Sequence, residues 1–152
     1  MPKQSAGLLV YRKRNGNLEV FLVHPGGPFW QNKDSGAWSI PKGEFDTGEN
    51  PLEVARREFE EETGVPIDGS FTPLEPIKQR SGKTVHAWLV EGEGDCSKLK
   101  SNTFTMEWPP RSGKMQEFPE VDRGEWFDIK TAMQKINERQ RGFLNQLQSH
   151  SL

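Results

Sequence analysis

The chain has 152 residues, a length that fits one domain with one hydrophobic core. Its formal net charge of −2 gives no global electrostatic reason to bind nucleic acid or an anionic membrane. No apolar run is long enough for a membrane span and the first residues do not resemble a signal peptide, so we expect a cytoplasmic protein. A single cysteine, Cys96, excludes an intramolecular disulfide and is not expected to be a nucleophile, because its polar surroundings fix no base beside it.

The first predicted element is a β-hairpin. Ala6 to Tyr11 and Leu18 to His24 are apolar runs that flank the turn signal Asn15-Gly16. A loop from Pro25 to Ala37, rich in glycine, proline and aromatic residues, follows the hairpin. Beyond this loop the sequence predicts a short strand and then a turn, at Trp38 to Ile40 and Pro41 to Gly43.

The best-specified element is a helix that begins after Asn50. Asn50 is a good N-cap, Pro51 suits the first helical position, and Gly64 is a natural residue just beyond the last turn. Three carboxylates at spacing i, i+3 and i+4 share one face of this helix: Glu58, Glu61 and Glu62. Carboxylates crowded in this way repel one another unless a cation lies between them, and a hard divalent cation suits oxygen ligands best.

Three more strands and a final amphipathic helix are predicted, at Leu74 to Arg80, Thr84 to Glu91, Glu125 to Phe127 and Ile129 to Gln148. Between them, Gly92 to Glu117 reads as irregular and polar, with one candidate strand near Phe104. Strands interleaved with two helices indicate an α/β protein in which a mixed sheet packs between helices.

Residues Gly43 to Val65 resemble the Nudix box, G-x5-E-x7-R-E-U-x-E-E-x-G-U, in which U is a bulky apolar residue. The matching residues are Gly43, Glu49, Arg57, Glu58, Glu61, Glu62, Gly64 and Val65, and the one soft departure is Phe59, where the family usually has an aliphatic residue. The alternative is a solvated acidic helix with an Arg57–Glu61 pair, but a chance match to the whole pattern is rarer than roughly one in a million. The resemblance implies the Nudix fold, an α/β/α sandwich around a mixed β-sheet, in one domain over residues 1–152.

This resemblance also implies magnesium-dependent hydrolysis of a nucleoside diphosphate linked to another moiety, with manganese as a substitute cation. The implied metal ligands are Glu58, Glu61 and Glu62, of which Glu58 or Glu61 could also orient or deprotonate the attacking water. Glu49 and Arg57 would form a supporting ion pair. In related enzymes the carbonyl of the residue before the box glycine is a further ligand. Here that residue is Lys42, whose ammonium could meet a phosphate or simply be solvated.

A further acid outside the box often completes the metal site or acts as the base in this family. Glu120, a short loop before Glu125-Trp126, is the best candidate, with Glu107 and Glu117 as rivals. An ordinary solvated acid is the alternative for all three positions.

Aromatic residues are the candidates for stacking on a nucleobase. The predicted set is Phe29 and Trp30 in the glycine-rich loop, with Trp88 and Phe104 elsewhere. Trp30 folding back over the core is the alternative to a recognition role. Other conspicuous side chains are expected to be structural or solvated: Trp126 as core, His24 and His86 as structural histidines, and Lys33, Arg80 and Lys83 as solvated charges rather than phosphate contacts.

Two further segments, HPGGPFW and GAWSIPKGE, resemble a bacterial Nudix subgroup described as predicted NTP pyrophosphohydrolases, and the second also resembles dinucleoside-polyphosphate hydrolases. The expected partner is a small nucleotide, with a homodimer as an option and nucleic acid disfavoured by charge. Nucleotide sugars such as ADP-ribose and capped RNA ends are the other substrate classes. A Nudix-fold module that binds a nucleotide without cleaving it is the alternative from another class, although such modules usually lose box acids that this chain keeps.

Overall fold

The computed structural model describes residues 3–79, 81–93, 99 and 101–150. Within these residues the chain forms nine strands: β1 (Gln4–Arg14), β2 (Asn17–Pro25), β3 (Lys42–Phe45), β4 (Thr72–Pro73), β5 (Ile77–Lys78), β6 (Thr84–Glu91), β7 (Thr103–Glu107), β8 (Met115–Pro119) and β9 (Val121–Asp128). It also forms three α-helices: α1 (Pro51–Thr63), α2 (Ile129–Lys135) and α3 (Arg141–Ser149). Arg80 and Cys96 lie outside the described residues.

Seven of the strands form one mixed sheet in which β1 is central. β1 runs parallel to β6, and it pairs antiparallel with β3 along its first residues and with β2 along its last ones. Helix α1 packs on one face, where Val54, Ala55 and Phe59 meet alternate residues of β1. Helices α2 and α3 cover the other face through Ala132, Phe143, Leu144 and Leu147. The predicted α/β/α sandwich with a mixed sheet is therefore confirmed.

The two elements with the strongest local signals form as predicted. The β1–β2 hairpin turns at Asn15 and Gly16, which have φ of 51° and 79°, so both adopt the left-handed conformation of a tight hairpin turn. In α1 the side chain of Asn50 accepts a hydrogen bond from the Glu53 amide at 3.1 Å. Gly64 has φ of 76° and ends the helix by donating to the Glu60 carbonyl.

The predicted strand from Trp38 to Ile40 does not form. Only single bridges are present here, between Ser39 and Val23 and between Trp38 and Ile136, while the Ile40 amide donates to the side chain of Gln140 at 3.1 Å. Because successive backbone groups pair with different partners, no ladder develops. The predicted turn at Pro41 to Gly43 instead holds the start of β3.

Four other segments differ from the prediction. Of the strand expected from Leu74 to Arg80, only the two residues of β5 form within the described residues, since Pro76 has no amide to donate to a ladder, and β4 lies just before the expected range. The segment expected to be irregular contains the β7–β8 hairpin, which includes the candidate strand at Phe104, and β9 is longer than expected. The final helix breaks after Lys135, where Asn137 caps a short 3-10 turn through its side chain.

Gln140, which lies between α2 and α3, bonds to the segment of Ser39 and Ile40. Its side chain is buried, accepts from the Ile40 amide, and exchanges hydrogen bonds with the Ser39 hydroxyl. We predict that Gln140→Leu lowers the free energy of unfolding by about 1–3 kcal/mol, because it leaves a buried amide without an acceptor. Urea denaturation measures this change. The control is Gln134→Leu on an exposed position of α2, expected within about 0.5 kcal/mol of the wild type; equal effects of the two would contradict the assignment.

Candidate active site

The site is built where α1 packs against the start of β3. The Glu58 side chain lies directly over Gly43: a Cβ at that position would be only 2.1 Å from Glu58 Cδ. Glycine is therefore required here for steric reasons, since α1 could not carry a carboxylate this close to any other residue. The Glu58 side chain is 17% exposed, and burial, followed by the nearby charge of Glu61, raises its pKa.

Glu62 is the most buried acid at this contact. Its Oε2 atom has no hydrogen-bond partner among the residues that the structure describes. Burial raises the pKa of Glu62 to about 9, and the negative charge of Glu58 adds to the rise, while the charge and the backbone of Lys42 oppose it. An acid that is buried without full hydrogen bonding is costly unless a cation or a proton neutralises it.

Lys42 lies beside these acids at the start of β3. Burial lowers the pKa of its ammonium group, and the charge of Lys83 lowers it further, while Glu62, Glu44 and Glu58 act in the opposite direction. The Lys42 side chain is thus half-buried among acids rather than free in solvent. A fully solvated lysine does not match this placement, and contact of the ammonium with a phosphate stays a prediction.

Arg57 links three acids of the box, Glu49, Glu58 and Glu61. Its guanidinium is half-exposed and lies 3.6 Å from Glu49, 3.9 Å from Glu58 and 3.8 Å from Glu61. Glu49 also accepts a hydrogen bond from the Asp46 amide at 2.9 Å, which ties the loop before α1 to this group. The expected Glu49–Arg57 ion pair is therefore present, and it fixes the loop against the helix.

Glu120 reaches the same place from the position just before β9. It lines, together with Lys42 and Glu62, a cleft at the ends of the strands. Its backbone is held on both sides, because its amide donates to the Asn102 carbonyl at 2.8 Å and its carbonyl accepts from the Gly26 amide at 2.9 Å. The rivals lie elsewhere: Glu107 accepts from the Arg111 amide at the tip of the β7–β8 hairpin, and Glu117 is exposed on β8.

The glycine-rich loop packs against the β7–β8 hairpin. Gly26 lies so close to Pro119 that a Cβ would be 2.0 Å from its carbonyl oxygen, and Gly27 meets the ring of Phe104. At the tip of the loop, Phe29 is 59% exposed and touches Trp108 edge-to-face, with ring centroids 5.5 Å apart. Sequence reasoning missed Trp108, because only the hairpin pairing brings it to the loop.

Trp30 follows Phe29 in the same loop. It is 38% exposed, and the Lys33 ammonium lies 5.2 Å from its ring centroid. This partial exposure argues against the alternative in which Trp30 folds back into the core. Lys33 is itself exposed, as expected.

The other singled-out side chains lie outside this group. Trp88 is partly buried against the apolar cluster under α1, so its arrangement gives no support to the predicted role in substrate binding. Trp126 packs on Phe21 in the same cluster, as expected for a core residue. His86 is hydrogen-bonded to Gln4, His24 is fully buried, and Lys83 pairs with Glu44 at 3.0 Å.

The donor set suits a hard divalent cation. Glu58 and Glu62 supply carboxylate oxygens that are shielded from water, one of them unpartnered, and Gly43 leaves the room that this packing needs. Within the described ranges, however, no group of three His, Cys, Asp or Glu side chains is already arranged around a common point. The ligand set therefore stays a prediction.

The burial of Glu62 predicts how the stability of the protein changes with pH. Because the folded-state pKa of Glu62 lies above its ordinary value of 4.5, the folded protein binds more protons than the unfolded chain between about pH 4.5 and 9. In chelator, the melting temperature should therefore fall as the pH rises through this window. We predict that Glu62→Gln melts at a higher temperature than the wild type at pH 8 and that its melting temperature falls less with pH.

Thermal denaturation of both proteins, with chelator and with magnesium, measures this effect. Magnesium should raise the melting temperature of the wild type more than that of Glu62→Gln. A variant that is less stable than the wild type in chelator at pH 8 would show that Glu62 is not under electrostatic strain.

No helix among the described residues is long and apolar enough to cross a membrane.

Three relatives and one solved structure illustrate what the chain is similar to. A Myxococcus xanthus octanoyltransferase is 27% identical over 135 residues, which are 89% of this chain and 33% of that protein. A mouse bis(5'-nucleosyl)-tetraphosphatase [asymmetrical] is 32% identical over 103 residues, 60% of this chain and 66% of that protein. The chain thus spans between a third and two thirds of the length of these two relatives.

An RNA pyrophosphohydrolase of Bartonella henselae is 26% identical over 148 residues, which are 85% of this chain and 78% of that protein. The solved structure of a C. elegans Ap4A hydrolase binary complex superimposes with a TM-score of 0.65 at 23% identity, over 95% of this chain and 96% of that one. At this identity the structural likeness shows the fold. The NUDIX domain family matches residues 1–147, and we conclude that the chain belongs to the NUDIX domain family, as the box in α1 predicted.

Proposed function

We propose that this protein is a magnesium-dependent hydrolase that cleaves a pyrophosphate bond in a nucleoside diphosphate linked to another moiety. The observation that carries the proposal is the cleft in which the buried, partly unpartnered carboxylate of Glu62 lies beside Lys42 and Glu120, with Glu58 packed on Gly43 next to it. The expected substrates are a nucleoside triphosphate or a dinucleoside polyphosphate.

The residues that would hold the cation are Glu58, Glu61, Glu62, Glu120 and the backbone carbonyl of Lys42. When bound, Mg²⁺ (or Mn²⁺ in its place) neutralises charge on the phosphate oxygens and favours the ionised form of these acids. Glu58 and Glu62, whose burial costs most in the ionised form, would gain most from this neutralisation.

The chemical step is attack of a water on phosphorus with cleavage of the bond to the bridging oxygen. Positioning and charge neutralisation dominate such a reaction. One carboxylate, from Glu58, Glu61 or Glu120, would hold the proton that the water loses, and the Lys42 ammonium would contact a phosphate oxygen. Arg57 keeps Glu58 and Glu61 in place through its ion pairs and does not need to touch the substrate.

Recognition of the nucleoside is assigned to the loop of residues 26–33 and the hairpin beside it. Phe29 and Trp30 are exposed at this edge of the molecule, and the Phe29 ring contacts the ring of Trp108. The ring of Phe104 packs against Gly27. The Gly26–Glu120 hydrogen bond makes this edge continuous with the cleft. An exposed aromatic pair in a loop is costly unless it binds a ligand.

The names of the relatives put a dinucleoside tetraphosphate first among substrates, since both the mouse enzyme and the C. elegans structure are described by that activity. RNA ends, suggested by the Bartonella relative, would need a basic groove, and the net charge of −2 disfavours one. A sensor that binds a nucleotide without cleaving it is disfavoured by the complete set of box acids. A homodimer and a cytoplasmic location stay predictions.

A panel of nucleotides tests the proposal: Ap4A, nucleoside triphosphates, ADP-ribose and 5'-triphosphorylated RNA, each with magnesium and with chelator. Chromatography of the nucleotide products identifies the bond that breaks in every substrate, and phosphate release with and without added pyrophosphatase reports it for the nucleoside triphosphates and the triphosphorylated RNA. We expect Ap4A or a nucleoside triphosphate to be hydrolysed, with loss of most activity in chelator and in Glu61→Gln. Undiminished turnover in chelator, or no turnover of any nucleotide by a well-folded protein, would contradict the proposal.

We predict that Glu120→Gln lowers kcat more than it raises KM. A base or an additional cation ligand acts mainly in the transition state, and its loss shows as lost turnover. Steady-state kinetics with the best panel substrate measure both constants. Glu117→Gln, on the exposed side of β8, is the matched control, and a larger effect of Glu107→Gln or Glu117→Gln would move the assignment to that residue.

We predict that Trp30→Ala raises KM by about ten-fold or more, because a stacked base is worth roughly 1–3 kcal/mol. Since stacking tolerates any base, the enzyme should be permissive among purine nucleotides. Titration of inactive Glu61→Gln protein with nucleotide, followed by tryptophan emission, reports binding directly. If Trp30→Phe in that background leaves both the quench and the affinity unchanged, recognition lies elsewhere, with Trp108 the next residue to test.

A further inference from the structure

His24 at the end of β2 is completely buried although both ring nitrogens are polar. Its Nδ1 lies 2.8 Å from a carboxylate oxygen of Asp122, and its Nε2 lies 2.6 Å from the backbone carbonyl oxygen of Lys33. A carbonyl oxygen only accepts hydrogen bonds, so Nε2 donates to Lys33, and Nδ1 is the ring nitrogen that bonds to the Asp122 carboxyl group. The ring edge also packs on Trp38, with centroids 5.1 Å apart.

An irregularity in the pairing of β2 with β9 makes this contact. His24 pairs with Arg123 and Pro25 pairs with Val121, so Asp122 is an extra residue on β9. In a regular strand, Asp122 and Arg123 would point to opposite faces. Here Asp122 reaches His24, while the guanidinium of Arg123 lies over Trp38 on the same side and its Nε is 3.6 Å from Asp122. The bulge turns the Asp122 carboxylate towards the histidine.

The contacts of His24 with Asp122 and with the Lys33 carbonyl, together called the tether, connect the two halves of the proposed site. On one side, Asp122 follows Glu120 by two residues, and the carbonyl of Glu120 accepts from the Gly26 amide. On the other side, the Lys33 carbonyl closes the loop that carries Trp30, and the Lys33 amide donates to the Trp30 carbonyl at 3.0 Å. One buried imidazole therefore joins the strand of the candidate acid to the loop of the candidate aromatic.

We propose that His24 and Asp122 are positioning residues that hold the nucleoside-recognition loop and Glu120 in a fixed relative arrangement. This inference rests on the proposed function, because it assigns the pair a part in that same reaction. Neither residue needs to touch the substrate. Their loss should therefore impair substrate binding and turnover together while leaving the carboxylates of α1 unchanged.

His24→Phe and Asp122→Ala test this proposal from the two ends of the tether. His24→Phe keeps a ring against Trp38 but removes both hydrogen bonds, and Asp122→Ala changes a side chain that is one third exposed. Asp122→Asn keeps an oxygen that can accept from the ring, and its properties should lie nearer to those of the wild type. Asp128→Ala is the control: it removes the N-cap of α2 at the far end of β9, where the Thr131 amide loses its acceptor.

The first readout needs no substrate. Limited trypsin digestion reports the mobility of the loop through cleavage after Lys33, relative to cleavage at sites outside the loop. We expect cleavage after Lys33 to be about ten-fold faster or more in His24→Phe and Asp122→Ala, and unchanged in Asp128→Ala. Folded variants in which this bond is as resistant as in the wild type would overturn the tether.

The second readout is kinetic and uses the best panel substrate well below the melting temperature of each variant. We expect KM to rise and kcat to fall together, with kcat/KM lower by about ten-fold or more, since small displacements of positioned groups cost rate steeply. The magnesium concentration for half-maximal activity should not change. Altered digestion with wild-type kinetics would leave a tether that is only structural and overturn the proposal, whereas a wild type inactive on every nucleotide refutes the proposed function instead.

Discussion

The arrangement of the site depends on the burial of two carboxylates of α1 against the backbone of β3. Gly43 has no side chain, and this alone lets Glu58 lie against the strand; one turn further, Glu62 is buried beside Lys42 with one oxygen unpartnered among the described residues. Such packing raises the pKa of both acids and is unfavourable by itself. The rest of the fold supplies the stability that holds these carboxyl groups in place until a cation binds.

Three parts of the chain that are distant in sequence converge on this contact. The central strand β1 pairs with β3 and so places the start of the box beside the core, while α1 packs its apolar residues on β1. β9 brings Glu120 to the same edge, and the bond between Glu120 and Gly26 adds the glycine-rich loop. The proposed cation site, the lysine proposed to bind phosphate and the proposed aromatic recognition surface are therefore contiguous, as hydrolysis of a nucleotide would require.

The parts that the sequence predicted are those with local causes. Asn50, Gly64 and the Asn15-Gly16 turn act through their own backbone neighbours, and the box spacing places the acids on one helix face. The features that the sequence could not predict depend on partners far along the chain. The Ile40 amide, for example, pairs with Gln140, one hundred residues away, so the segment before the box is not a strand. The bulge at Asp122 and the contact of Phe29 with Trp108 likewise exist only once the sheet has formed, so neither carries a local signal.

Counting the protons that are released when a cation binds shows whether the buried acids of α1 form a cation site. At pH 7 the raised pKa of Glu62, about 9, means that the metal-free protein holds a proton there which a bound cation must displace. Calorimetric titration with Mg²⁺ or Mn²⁺ in buffers of different ionisation enthalpy counts the released protons. We expect about one proton released by the wild type at pH 7, tighter binding as the pH rises towards 9, and no release from Glu62→Gln. Cation binding without proton release, or binding that Glu62→Gln leaves unchanged, would contradict a cation site that includes Glu62.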